Sequence, residues 1–138
     1  MIEQDSIEIE TRGRSTIEIT REVDAIARKS GVSRGLCHLF IHHTSASLMI
    51  TENADRDVRT DLENYLSRLV HDGDPAYLHD QEGPDDMAAH IRSVLTQTEL
   101  TVPIVAGRLA LGTWQGLFLW EHRHHPHRRR VTVTVSGE

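Results

Sequence analysis

The chain offers little that would support a disulfide-linked or membrane-spanning architecture. Cys37 is the single cysteine among 138 residues, which excludes an internal disulfide framework and cysteine-based zinc motifs. No apolar run approaches the roughly 20 residues that cross a bilayer. Residues 1–5 carry two acidic side chains, Glu3 and Asp5, and contain no apolar signal-peptide core. We therefore expect a cytoplasmic protein without a membrane segment.

Aromatic residues and positive charges are also scarce. Aromatic residues make up 4% of the chain, so the core has to rest on Leu, Ile, Val and Ala. The 15 basic side chains are outnumbered by 21 acidic ones, for a net charge of −6. Such a charge makes a poor general binder of nucleic acid or anionic membrane. The length suits one domain over residues 1–138, and the apolar surroundings of Cys37 favour a buried, inert thiol.

The hydrophobic periodicity predicts an α+β protein. Ile7 and Ile9 alternate with polar residues, as do Ile17 and Ile19, and Gly13 lies between them. This pattern predicts an antiparallel hairpin that is buried on one face.

Three helices and several further strands are predicted beyond this hairpin. Thr20 is expected to cap the first helix, Gly31 to end it, and the third helix is expected to bury Met87, Ile91, Val94 and Leu95. Because strands and helices do not alternate regularly, we expect a mostly antiparallel β-sandwich with about three helices. The predicted helices cover 20–30, 55–69 and 84–95, and the strands 36–43, 47–51, 100–105, 108–111, 114–122 and 130–135.

Ten histidines are the most unusual feature of the composition. Histidine is the commonest metal ligand and the usual acid–base group near neutral pH. His42 and His43 end a predicted strand, and the hydroxyl residues Thr44 and Ser45 follow at once. A rigid strand end presents ligands well, and hydroxyls bind phosphate. An ordinary strand terminus is an equally good interpretation.

The segment from His79 to His90 carries the strongest signal for a site. His79, Glu82 and Asp86 occupy a polar loop and the start of the third helix, and His90 follows one helical turn after Asp86. Imidazole nitrogens and carboxylate oxygens are typical ligands of zinc and similar ions. The alternative is a solvated acidic loop beside a histidine at the edge of a helix.

Polar residues at three other places are further candidates. Asn53 and Asp55 precede the second helix and serve either as helix caps or as site groups. Thr113 and Gln115 lie between Gly112 and Gly116, where a strand can approach a ligand closely. Glu121 ends an apolar strand, so a site or a partner such as Arg123 is needed to offset its burial. The histidine-rich pattern at 122–127, which includes Pro126, is interpreted as a simple hairpin turn rather than as a nucleic-acid contact.

Together these segments resemble the YjbQ family, also called the secondary thiamine-phosphate synthase family. The resemblance covers nearly the whole chain and rests on residues 42–48, 53–55, 79–90 and 112–116 together with Glu121. It implies a small α+β fold built on a β-sandwich, a homotrimer, and a metal-binding histidine site at the subunit interface. It also implies weak thiamine-phosphate synthase activity.

The resemblance and the residue patterns together define the predicted site. The expected ligands of a divalent metal such as zinc are His43, His79 and His90. One hypothesis is a metal-assisted transferase acting on a small anionic or phosphorylated metabolite, and the alternative is a non-catalytic metal- or ligand-binding module. The predicted catalytic groups are Glu82, Asp55, Asn53 and Glu121, and the predicted ligand-binding groups are Thr44, Ser45, Thr113, Gln115 and Arg123.

Overall fold

The computed structural model describes residues 1–138 and contains two antiparallel sheets. The elements are β1 (Ile2–Glu10), β2 (Ser15–Glu18), α1 (Thr20–Ser30), β3 (Arg34–Ile41), β4 (Ala46–Glu52), α2 (Arg56–Leu69), α3 (Asp86–Leu95), β5 (Glu99–Val105), β6 (Arg108–Leu109), β7 (Gln115–Glu121) and β8 (Arg128–Gly137).

The five-stranded sheet has the order β1-β8-β3-β5-β6, and the three-stranded sheet has the order β2-β7-β4. Their facing sides share one apolar core, to which both sheets and α1 contribute. The predicted α+β sandwich with three helices is confirmed.

The predicted hairpin between the first two strands is wrong. β1 pairs with β8, placing Ile7 opposite Val131, and β2 pairs with β7, placing Ile17 opposite Leu119. Gly13 has a φ of 132° and carries the chain from one sheet to the other. Alternation of apolar and polar residues reports that one face of a strand is buried, but it does not identify the partner strand.

β7 is apolar at successive positions because it is covered on both faces. Leu117 and Leu119 face the core between the sheets, while Trp120 packs with Leu66 and Ala88 in a second, smaller core. This second core lies under α2 and α3, which cover the outer face of the three-stranded sheet. A strand that is buried on both faces does not show the alternation of apolar and polar residues. The packing of the helices on this sheet also places α3 against the start of β4.

The first helix begins without the predicted Thr20 cap. Ile19 is the N-cap residue, and the Thr20 hydroxyl instead donates to Glu18 Oε2 and accepts the N–H of Leu117. The predicted end is confirmed, since Gly31 adopts the left-handed conformation at φ 74°. The apolar face of α1 contributes Val23 to the main core.

The third helix buries only part of the predicted face, since Ile91 packs against the second core and the rest of the stripe does not hold. Val94 and Leu95 are exposed, whereas the buried side chains are those of Asp86, Ala88, Ala89, Arg92 and Ser93. Arg92 is tolerated there because Nη1 donates to both carboxylate oxygens of Glu63 at 3.0 and 2.9 Å. Polar residues that have partners elsewhere in the fold are thus buried at positions where apolar residues were expected. None of the three helices has the length and apolar character of a membrane span.

Candidate functional site

His79, Asp86 and His90 form the one cluster in which at least three potential metal ligands converge. Asp86 is the first residue of α3, His90 lies one turn later, and His79 comes from the preceding loop. Asp86 Oδ2 lies 2.7 Å from His79 Nε2 and 3.2 Å from His90 Nε2. The helical spacing of i and i+4 places Asp86 and His90 on the same side of α3.

The main chain fixes the protonation of one ring in this cluster. His90 Nδ1 lies 3.0 Å from the carbonyl oxygen of Thr44, and a carbonyl oxygen only accepts hydrogen bonds, so Nδ1 carries a proton. In neutral His90 the Nε2 lone pair then faces the Asp86 carboxylate. Two acceptors at 3.2 Å require a proton or a cation between them. The hydrogen bond from His90 Nδ1 to the Thr44 carbonyl is of the type that orients metal-binding histidines.

The two imidazoles are accessible, whereas the carboxylate is enclosed. The side chains of His79 and His90 are 50% and 29% exposed, and that of Asp86 is 2% exposed. A cleft of about 310 Å³ adjoins His79 and is walled by the loop between α2 and α3, including Tyr77 and Asp80. A small ligand can therefore reach the nitrogen atoms from the solvent side.

Arg123 holds the carboxylates of this loop in place. Its Nε donates to Asp85 Oδ2 at 3.0 Å, its Nη1 to Asp86 Oδ1 at 2.7 Å, and its Nη2 to the Glu82 carbonyl at 2.9 Å. The expectation that Arg123 contacts an anionic ligand is thus corrected, because its guanidinium is engaged with the protein's own acceptors. It acts as a positioning residue.

Both aspartates are ionised because of these contacts. Burial alone would raise the pKa of Asp86, but the hydrogen bond from His79, the charge of His90 in its protonated form and the charge of Arg123 outweigh it and lower that pKa. Burial likewise opposes ionisation of Asp85, yet the His124 backbone N–H and Arg123 lower its pKa to about 2. The cluster thus presents an ionised carboxylate oxygen, Asp86 Oδ2, to any bound cation.

Glu121 was predicted as a catalytic group, but it points into the protein interior. It is fully buried, and it accepts hydrogen bonds from Arg129 Nε at 2.8 Å and from the Thr11 hydroxyl at 2.7 Å. Its partner is therefore the side chain of Arg129; Arg123 donates only its backbone N–H, at 3.1 Å. Arg129 also donates to the Ser45 hydroxyl at 2.9 Å, so the predicted ligand-binding role of Ser45 is corrected as well.

The structure does not bring His43 to the cluster of His79, Asp86 and His90. β3 ends at Ile41, two residues earlier than the predicted end of the strand. His43 Nε2 accepts the backbone N–H of Arg130 at 2.8 Å, so this lone pair is occupied. Burial and then the charge of Arg129 lower the pKa of His43, which favours a neutral ring in a structural hydrogen bond.

Four other predicted residues lie at the far end of the β4–β7 pair. The six residue steps from Ala46, beside the cluster, to Glu52 span about 20 Å. At that end, Asp55 caps α2 by accepting the Asp57 N–H, and Gln115 Oε1 accepts the Gly112 N–H. Asn53, Asp55, Thr113 and Gln115 therefore do not meet the histidines within one chain.

The remaining two predicted residues, Thr44 and Glu82, contact the site mainly through their backbone carbonyl groups. The Thr44 carbonyl orients His90, and the Glu82 carbonyl accepts from Arg123. The Glu82 side chain is exposed near the cluster. The sequence analysis assigned Arg123 to ligand binding rather than to positioning, and it did not count Asp86 among the metal ligands, although the i, i+4 spacing of Asp86 and His90 was a usable signal.

A buried histidine behind the site was also missed. His122 is fully buried, its Nε2 lies 2.8 Å from the Ser47 hydroxyl, and its Nδ1 has no hydrogen-bond partner. Burial, followed by the positive charge of Arg92, lowers the pKa of His122 to about 3. Since the ring is neutral in the folded state, it cannot act as an acid near neutral pH.

We predict that His122 makes the fold acid-sensitive. Between pH 6.5 and about 4.5 the unfolded chain binds a proton at His122 that the folded chain does not. The free energy of unfolding therefore decreases as the pH is lowered. This residue alone should cost about 2–3 kcal/mol over that interval. Urea denaturation at several pH values measures the slope, which should be shallower in His122→Gln. The same slope in His122→Gln and in the exposed-residue control His125→Gln would contradict the prediction.

The fold and site together define a small two-sheet α+β protein with a histidine–carboxylate cluster at the start of its third helix. A family model described as UPF0047 protein YjbQ-like matches residues 5–138. The chain belongs to this family, as the resemblance implied.

Relatives and solved structures agree over almost the full length. A UPF0047 protein of Synechocystis is 54% identical over 98% of this chain and 92% of its own length. Escherichia coli O157:H7 YjbQ is 42% identical, with 98% of each chain covered. A hypothetical protein from Aeropyrum pernix has a TM-score of 0.90 at 27% identity, with 99% of each chain covered. A conserved protein from Clostridium acetobutylicum has a TM-score of 0.88 at 34% identity, covering 96% of this chain and 99% of its own.

Proposed function

We propose that His79, Asp86 and His90 bind a divalent cation such as zinc and that the protein is a cytoplasmic, metal-assisted enzyme acting on a small phosphorylated metabolite. The observation that carries this proposal is the orientation of His90. Its Nδ1 proton is committed to the Thr44 carbonyl, so in the neutral ring the Nε2 lone pair and the Asp86 carboxylate converge on one point. A cation there satisfies both acceptors.

The spacing of the donor atoms supports a metal ion of this size. In a tetrahedral zinc site with bonds of about 2.0–2.1 Å, neighbouring ligand atoms lie about 3.3 Å apart. The separations between Asp86 Oδ2 and the two Nε2 atoms are 2.7 and 3.2 Å, and all three atoms lie within 4.8 Å of one another. Arg123 and the Thr44 carbonyl supply the outer contacts that orient such ligands.

Three protein ligands favour a catalytic site over a structural one, because a coordination position remains for substrate or water. A cation bound here would neutralise charge on a phosphate or pyrophosphate group. The chain's own residues orient the ligands and hold the site open on the side of the cleft beside His79. The exposed Glu82 carboxylate is the nearby group that we propose accepts a proton.

Thiamine-phosphate synthesis is a reaction that suits such a site. It joins a pyrimidine diphosphate to a thiazole phosphate and releases pyrophosphate, whose charge a cation compensates. The family resemblance in the 42–48 and 79–90 segments supports this assignment, as a weak or secondary transferase activity.

We propose further that the protein is a homotrimer whose subunit interface completes the site. Asn53, Asp55 and Gln115 lie about 20 Å from the histidines along β4 and β7, so they serve the reaction only if a neighbouring subunit supplies them. The five-stranded sheet leaves Leu36 and Phe40 exposed on its outer face, at 50% and 39%. Light scattering of the purified protein tests the trimer.

Growth rescue tests the enzymatic function. We expect the wild-type protein to restore slow growth to a strain that lacks thiamine-phosphate synthase, and His90→Ala to fail. His38→Ala is the matched control, since His38 lies on the outer sheet face and contacts Glu99. Equal rescue by wild type and His90→Ala would show that the cluster is not the active site. If a metal-binding wild type gives no rescue, the assignment of thiamine-phosphate synthesis is wrong and the non-catalytic module is favoured.

A further inference from the structure

A polar groove runs between β2 and α2, apart from the histidine cluster. Its volume is about 480 Å³ and none of its lining residues is apolar. It shares no lining residue with the cleft beside His79. Two arginines, three hydroxyl residues and an amide provide its donors, namely Arg56, Arg59, Ser15, Thr16, Thr60 and Asn64.

The one carboxylate in the groove wall is already neutralised. Both oxygens of Glu63 accept from Nη1 of the fully buried Arg92, and Glu63 Oε1 also accepts from Trp120 Nε1 at 3.1 Å. The charge of Glu63 is thus committed to the interior. The groove therefore keeps two positive charges that no acidic residue of its wall compensates, in a protein whose net charge is −6.

The two arginines are presented in different ways. Arg59 is held in place because its Nη1 donates to the Glu52 carbonyl at 3.1 Å and its guanidinium lies 4.9 Å from the centre of the Phe118 ring. Arg56 precedes it by three residues on the same side of α2 and takes part in no ion pair. Apart from the Arg59 bond to Glu52, the guanidinium donors of these two arginines have no protein acceptor.

Guanidinium groups backed by hydroxyls form the donor set that recognises phosphate oxygens. A second cavity of about 500 Å³ adjoins the groove through Ser15 and Glu63, and it adds the positive charge of Arg12. This cavity has room for the organic part of a ligand. Its Arg14 is unavailable, because Asp72 pairs with it through both oxygens at 3.0 Å.

We propose that the groove between β2 and α2 binds the phosphate or diphosphate group of a small metabolite, at a site separate from the histidine cluster. The proposal does not depend on metal binding or on the reaction proposed above. It predicts that the protein binds a phosphate-bearing molecule even when every metal ion has been removed.

Calorimetric titration with inorganic pyrophosphate, in the presence of a chelator, tests this site. We expect saturable binding to the wild type, and a Kd increased about tenfold or more in Arg56→Glu, since a charged hydrogen bond is lost and a repulsive charge is added. Arg21→Glu is the matched control, as Arg21 is an exposed arginine on α1 outside the groove. It should bind like the wild type, and so should His90→Ala.

Three results would overturn the proposal. The first is no saturable binding of pyrophosphate by the wild type at millimolar concentration. The second is an equal loss in Arg56→Glu and Arg21→Glu, which would indicate general charge attraction. The third is a loss of binding in His90→Ala, which would place the anion at the histidine cluster. Circular dichroism of each variant shows whether the fold is retained, and Arg56→Gln repeats the test without charge reversal.

Discussion

Replacing His90 with alanine should weaken zinc binding by more than about 100-fold, because outer-shell changes alone commonly cost 10–100-fold. His79→Ala should have a similar effect, since in the proposed site each histidine supplies one of the three ligand atoms and Asp86 supplies the third. Titration of zinc into chelator-treated protein measures both affinities. Neither substitution should unfold the domain, because both imidazoles are partly exposed and lie outside the two apolar cores.

The other histidines provide the controls for this measurement. His42→Ala removes an exposed ring that contacts Thr132, and His124→Ala removes one from the histidine-rich turn. Both variants should keep the high-affinity zinc site. If His124→Ala lost zinc while His79→Ala retained it, the turn would be the metal site and the cluster would not.

Replacing Glu121 with alanine should lower the free energy of unfolding by about 3–5 kcal/mol, the range for breaking a buried ion pair. Glu121 is fully buried, and its removal leaves the charge of Arg129 buried without a carboxylate partner, since the Arg129 side chain is 4% exposed. The Thr11 hydroxyl and the Arg123 backbone N–H lose an acceptor at the same time. Urea denaturation near neutral pH measures the loss.

The exposed pair of Glu10 and Arg128 is the matched control for this change. Its two side chains are 77% and 66% exposed, and such surface pairs contribute about 0–1 kcal/mol. Glu10→Ala should therefore leave stability almost unchanged. A loss of under 1 kcal/mol in Glu121→Ala would mean that Arg129 finds another partner or reaches water.

The sequence predicted the fold class and most elements, because their patterns are local. The 3.6-residue period identified α2, and Gly31 marked the end of α1. Strand pairing was not local: Ile7 faces Val131, 124 positions along the chain, and nothing near Ile7 encodes that choice. The buried face of α3 was missed because Arg92 is stabilised by Glu63, a contact that exists only after α2 has packed.

The candidate site was predicted in part for similar reasons. His79 and His90 are close in sequence and belong to one loop and the helix after it, so their meeting followed from spacing. His43 was placed with them, yet its lone pair accepts the Arg130 N–H, a backbone contact that no side-chain pattern reveals. Arg123 was one suggested partner for Glu121, yet the Glu121 carboxylate pairs with the Arg129 side chain and the Arg123 side chain pairs with Asp85 and Asp86.

Anomalous diffraction from a zinc-soaked crystal tests the central claim most directly. We predict a zinc peak within about 2.0–2.2 Å of His79 Nε2, His90 Nε2 and a carboxylate oxygen of Asp86, with a further position open to solvent. Zinc bound only at residues 122–127, or no peak beside Asp86 at saturating zinc, would contradict it.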